Sequence, residues 1–167
     1  MIWSFMHYDI AANCAECHGL AHPKLKGDVL SKMLEAGHPG EPEFELVAYS
    51  QGSVRHRYYP PNITANAEMN AAELARFFVI GQAAKLVSAT AAAGKSDNAK
   101  YVALQKKRSE DARKALADFE HALSLAPDRV TALYWRGVAR RATGDRAQGD
   151  ADVADALRRR PKVLEDF

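Results

Sequence analysis

The stretch QGDADVADALRRRP, residues 148–161, repeats the pattern of KALADFEHALSLAP, residues 114–127. Pro127 and Pro161 lie 34 residues apart, and the register extends upstream through Ala117 and Ala151, Asp118 and Asp152, Ala122 and Ala156, and Leu123 and Leu157. Alanine-rich text favours helix on propensity alone, but propensity does not explain prolines recurring at a fixed interval. A repeated helical unit does: a helix pair that cannot bury its apolar face alone stacks on the next, with small residues where helices approach and bulky ones filling the groove. The text after residue 95 is rich in alanine, arginine and leucine and holds only those two prolines, so this half reads as helices.

The period resembles that of the tetratricopeptide repeats. The resemblance places Ala115, Phe119, Ala122 and Pro127 on a second helix, and in the next unit Leu133 and Gly137 on a first helix, Gly144 at the turn, and Ala156 and Pro161 at the close. Gly149 stands where alanine is usual and Val153 where an aromatic residue is usual, which predicts looser packing of that last helix. About two repeats are legible, and because roughly three make an independent stack, this half is expected to lean on the rest of the chain or on another one. An ordinary helical hairpin of good helix formers is the alternative.

The first half differs in kind. Residues 1–94 carry five of the seven prolines, five of the six histidines and both cysteines, and residues 95–167 form the helical-repeat half. Cys14-Ala-Glu-Cys17-His18 has the spacing of a c-type haem attachment site. Two thiols one helical step apart can each add across a porphyrin vinyl group, which sets the neighbouring imidazole under the iron as proximal ligand. Three other readings stay open. A thioredoxin-type redox pair normally lies between a strand and a helix, and no such strand is legible. Zinc could be held by Cys14, Cys17 and two of His18, His22 and His38, although a second pair at knuckle spacing is missing. A disulfide across two intervening residues would be strained and would close only a small loop.

The segment ANCAECHG resembles the opening of a small bacterial class I cytochrome c, and PKLKG at 23–27 resembles that family's Pro-x-Leu-x-Gly segment. The resemblance implies that Pro23 accepts a hydrogen bond from the proximal His18, and that Gly19 spares the porphyrin edge a bulky side chain. YYPPNITANAEMNAAELARFFVIG further resembles a segment and following helix of the cytochrome subunits of membrane-associated dehydrogenases. The segment between His18 and Pro23 is shorter than usual for the family, and a glycine-rich loop is missing. The fold expected is all-α: a small cytochrome c-like helical domain at 1–94 joined to tetratricopeptide-type hairpins at 95–167.

The sixth iron ligand in that family is usually methionine, and Met69 is placed for it, with His56 as the alternative. Met69 has a competing explanation. Asn70 and Glu73 are spaced to form a capping box, which makes Met69 the residue before the cap, stapled against Leu74. Met33, in helical register with Leu30 and Leu34, reads as core, and Gly37-His38-Pro39 as a helix stop and turn. Tyr58 and Tyr59 beside Pro60 and Pro61 read as an extended segment lying on something flat, a haem edge or plain packing.

A net charge of +2 from 23 basic and 21 acidic residues gives no reason to expect nucleic acid as a partner. No window approaches the roughly 18–20 apolar residues of a membrane span. The function expected is an electron-transfer c-type cytochrome with haem c, docked through its repeats to a redox partner protein, more carrier than enzyme. The alternative is a repeat adaptor binding peptides, with structural zinc or no cofactor in its first half and Arg136, Arg140 and Arg141 offered to an acidic peptide. Covalent haem implies a periplasmic or other extracytoplasmic location, whereas MIWSFMHYDIAANC does not read as an export leader.

Overall fold

The computed structural model describes residues 6–51, 69–124, 130–161 and 163. Within them lie seven helices: α1 (His7–His18), α2 (Gly27–Glu35), α3 (Leu46–Gln51), α4 (Ala71–Ala93), α5 (Ala99–Ser124), α6 (Val130–Thr143) and α7 (Arg146–Arg159). No strand occurs among the described residues, so the fold is all-α as expected.

Helix ends follow local chemistry. At the start of α4, the Glu73 amide donates to Asn70 Oδ1 (3.0 Å) and the Asn70 amide to Glu73 Oε2 (2.8 Å), a reciprocal capping box. Asn98 Oδ1 accepts the Tyr101 amide at the start of α5 (3.0 Å), and Asp145 accepts the Gln148 amide at the start of α7. Helices α2 and α6 close alike. Gly37 (φ +89°) and Gly144 (φ +103°) adopt the left-handed conformation, and the next residue's amide reaches back to Met33 O and Arg140 O (both 2.9 Å). Helix α1 closes by the same motif, with Ala21 N on Glu16 O (2.8 Å) and Leu20 N on Cys17 O (3.2 Å). Here the left-handed residue is Leu20 (φ +52°), a conformation that costs a β-carbon roughly 1–2 kcal/mol.

Helix α4 is the spine, packing on α1, α3, α5 and α6. One apolar cluster joins Ala11 and Ala15 of α1 to Phe44, Leu46, Met69, Phe77 and Ala84, with Cys14 and Leu74 packed at its edge. A second joins Val79 and Leu86 of α4 to Ala112 and Leu116 of α5 and to Trp135 and Ala139 of α6. A third gathers Leu20, Ala21, Leu30, Ala92 and Tyr101, with Met33 and Leu34 against it, so Met33 is core as expected. The compositional boundary at 94/95 falls in the turn between α4 and α5, and two of these clusters run across it. The helical half does lean on the first half.

The repeat register meets the structure unevenly. Helices α6 and α7 form a tight hairpin turned at Gly144. Glu110, 34 residues earlier, is inside the uninterrupted α5, so the upstream copy has no turn at that position. Phe119 packs on Phe78 of α4 (5.6 Å between ring centres), while Pro127 lies outside the described residues. The loose last helix expected from Gly149 is corrected. A β-carbon at Gly137 would lie 2.7 Å from Gly149 O, and one at Gly149 would lie 2.7 Å from Gly137 O. The missing side chains bring the backbones together.

Candidate haem-attachment site

Cys14, Cys17 and His18 occupy the last turn and a half of α1 at spacing i, i+3 and i+4, which puts them on one face of the helix. Cys14 is half-buried at the edge of the first apolar cluster and Cys17 is exposed.

The imidazole of His18 is braced on several sides. Its Nδ1 lies 2.8 Å from Glu41 Oε2. Its ring stacks on Phe44, centres 4.5 Å apart and planes within 9°, and the edge of Tyr49 approaches at 4.9 Å. Phe44 and Tyr49 also touch each other, and the Tyr49 hydroxyl donates to the same Glu41 oxygen at 3.3 Å. The negative charge of Glu41, then burial, push the Tyr49 phenol above its usual range. With Nδ1 facing a carboxylate, the neutral ring holds its proton there and presents the Nε2 lone pair. Nε2 has no hydrogen-bond partner among the described residues.

The loop carrying Glu41 and Phe44 is fixed independently of the side chains it presents. The Glu41 amide donates to His18 O (2.9 Å), which ties the loop to the end of α1. From α4, the ammonium of Lys85 donates to Pro42 O (2.5 Å) and Phe44 O (3.3 Å); burial lowers its pKa. Glu45 caps the first turn of α3 through the amides of Val47 and Ala48.

A second brace comes from α5. Tyr101, Gln105 and Arg108, one face of that helix, converge on the carbonyls that end α1. Arg108 is fully buried; its guanidinium donates to Ala15 O (2.8 Å), Gly19 O (3.1 Å) and Gln105 Oε1 (2.7 Å). Gln105 donates to Gly19 O (2.9 Å), and the Tyr101 hydroxyl to Leu20 O (2.9 Å). A cation at a helix C-terminus is the favourable sign for the helix dipole. Burial lowers the Arg108 pKa to about 10, which leaves it charged at neutral pH.

The expected site residues separate accordingly. His18 has a partner at Nδ1, and it is Glu41; the Pro23 carbonyl accepts from Lys95 Nζ instead (3.0 Å), as does that of His22 (3.2 Å). Gly19 is required by Arg108, because a β-carbon there would lie 1.8 Å from the guanidinium Nη2. Met69 is buried in the cluster with Phe44, and Leu74 packs on that same cluster, beside the capping box of Asn70 and Glu73. His56, Tyr58, Tyr59 and the 61–64 segment lie outside the described residues. No three His, Cys, Asp or Glu side chains among the described residues converge as a metal site, so Cys14, Cys17, His18, His22 and His38 are not gathered for zinc.

Of the arginines considered for an acidic peptide, Arg136 and Arg140 are engaged inside the fold and Arg141 is paired at its surface. Arg136 forks onto Asp152 (2.8 and 2.6 Å), Arg140 bridges Asp152 (2.8 Å) to Glu120 of α5 (2.5 Å), and Arg141 pairs with Asp150 (2.6 Å).

Glu41 and Phe44 escape sequence reasoning because they come from an irregular loop, Tyr49 because it sits in the six-residue α3, and Lys85 because it is a lysine in an apolar helix. The Tyr101-Gln105-Arg108 stripe is legible in principle, since large polar residues at helical spacing ask for a buried polar partner. No known family, characterised protein or solved structure matches this chain in comparisons of its sequence and fold.

Proposed function

We propose that this chain is a c-type electron carrier whose haem is held by Cys14, Cys17 and His18. The observation that carries the reading is the His18 imidazole, which follows Cys14 and Cys17 at i+4 and i+1 on α1 and is held by Glu41 at Nδ1 and by the rings of Phe44 and Tyr49, so that Nε2 is the nitrogen left to serve as a ligand. Carboxylate support of the far ring nitrogen is a recurrent feature of metal-binding histidines. The residues present therefore fit the group. When bound, such a haem supplies reversible one-electron chemistry.

The chain's own residues do the rest. Cys14, at the edge of the apolar cluster, and Cys17, exposed, each offer a thiol for a thioether bond. Glu41 holds the proton of Nδ1 and so fixes the tautomer of His18. Arg108 and Gln105 hold the end of α1 rigid, which keeps the three attachment residues in fixed relation. Among the described residues, Met69 is the sixth-ligand candidate, sharing its cluster with Phe44; His56 is the alternative from outside them.

A redox partner protein docks on the outer surface, with the α6–α7 hairpin as its address, and attachment takes place outside the cytoplasm. No helix among the described residues is long and apolar enough to cross a membrane. The adaptor reading loses support because Arg136 and Arg140 are committed to Asp152 and Glu120 inside the fold, and the zinc alternative because its ligands do not converge among the described residues.

The test is a pyridine haemochrome spectrum of the full chain produced in cells that possess haem c attachment machinery. One c-type haem per chain, retained through acid–acetone extraction and lost in the Cys14→Ala/Cys17→Ala double variant, is expected. Colourless protein, or pigment that extracts freely, overturns the proposal.

A further inference from the structure

The structure assigns Glu41 a role beyond holding a tautomer: we infer that it is a positioning residue that sets the reduction potential of the site, with Tyr49 as its counterweight. The inference rests on the electron-carrier reading above.

Three observations carry it. The acceptor at Nδ1 is a carboxylate, and the backbone carbonyls of Gly19, Leu20 and Pro23 serve other donors: Gly19 O accepts from Arg108 and Gln105, Leu20 O from Tyr101, and Pro23 O from Lys95. A full negative charge withdraws more of the Nδ1 proton than a neutral carbonyl does, so Nε2 becomes a more basic, more electron-donating ligand. The same charge also favours directly the state with one more positive charge on the metal. Both effects stabilise the oxidised form, so they add.

The second observation is that the Tyr49 hydroxyl donates to the very oxygen that His18 uses, Glu41 Oε2, at 3.3 Å against 2.8 Å for the imidazole. A second donor on one oxygen weakens what that oxygen gives the first. Tyr49 therefore opposes Glu41. The third is that the pair is only partly open to water, with side-chain exposures of 30% for His18 and 38% for Glu41, so the charge is screened in part rather than abolished.

The geometry also makes the role separable from folding. The Glu41 amide on His18 O and the Lys85 bonds to Pro42 O and Phe44 O hold the loop through main-chain atoms, so an isosteric change of the Glu41 side chain leaves the loop anchored.

The experiment is a mediated redox titration of the haem-loaded full chain, followed by its optical spectrum, for the wild type, Glu41→Gln and Tyr49→Phe. The expected result is that Glu41→Gln raises the ratio of reduced to oxidised protein at a fixed applied potential by about tenfold or more, which is about 59 mV per tenfold for one electron. Tyr49→Phe is expected to move the ratio the opposite way by a smaller factor. A merely structural role predicts no such opposition of sign. Shifts below about twofold in both variants, or shifts in the same direction, overturn the inference while a loaded wild-type chain leaves the electron-carrier reading standing. A wild-type chain that carries no covalent haem overturns both.

Discussion

The guanidinium of Arg108 occupies the space that a side chain at Gly19 would need: Nη2 lies 1.8 Å from the position of a β-carbon there, while Nη1 donates to Gly19 O at 3.1 Å. Glycine and arginine, 89 residues apart, form one joint between α1 and α5. Gly19→Ala has to push a buried charged group off two carbonyls, and a loss of about 1–3 kcal/mol or more is expected. Arg108→Met removes the charge but keeps much of the volume, leaves Ala15 O without that donor, and is expected to cost about 1–3 kcal/mol. Because both variants break the same contact, their double-mutant cycle in urea is expected to fall short of additivity by at least about 0.5 kcal/mol.

Leu20 combines a strained backbone with a buried side chain. Leu20→Ala keeps the left-handed conformation and discards the burial; Leu20→Gly discards both. Leu20→Gly is therefore expected to be the more stable of the two by about 1 kcal/mol, against the usual order of alanine over glycine. Thermal melts of the two variants side by side check the ranking.

His7 is buried against Phe77, and burial first, then the charge of Arg76, hold its pKa down at about 4, with Glu73 opposing. A base whose folded pKa is depressed binds its proton more readily when unfolded. Stability from this site is full above about pH 6.5, declines as the pH falls toward 4, and amounts to on the order of 2–3 kcal/mol. His7→Leu is expected to flatten the urea midpoint across that window. Asp152, held below its ordinary pKa mainly by its hydrogen bonds with Arg136, acts lower, its contribution fading as the pH falls below the usual carboxylate range. The two windows are distinguishable.

Gly149→Ala gains as much as about 1 kcal/mol of helix propensity and loses more to crowding. Its β-carbon would meet Gly137 O at 2.7 Å and the backbone nitrogen of Arg141 at 2.9 Å, atoms that move only if the hairpin opens. A net loss of about 1–3 kcal/mol is expected by circular dichroism melting. A neutral or stabilising outcome would refute the close approach.

What the sequence made legible was what is periodic or punctuated. The helices after residue 95, the turn at Gly144, the stop at Gly37, and the capping box of Asn70 and Glu73 all rest on local spacing. What was not legible is long-range and polar. Glu41 belongs to no pattern, and its meaning comes from meeting His18 across 23 residues. Arg108 reads as one charge among many on α5 until the fold buries it. Gly149 was read against a consensus, whereas its packing depends on Gly137 opposite, a pair that no single position reveals.

The anchoring of the 41–45 loop by Lys85 has a bearing on the order of biosynthetic events. A nascent chain that ends before that lysine already possesses both thiols and the imidazole, yet lacks the clamp that holds Phe44 and Glu41 against it. Cys14, Cys17 and His18 therefore stand on a helix whose neighbouring loop is pinned only once the fourth helix has docked.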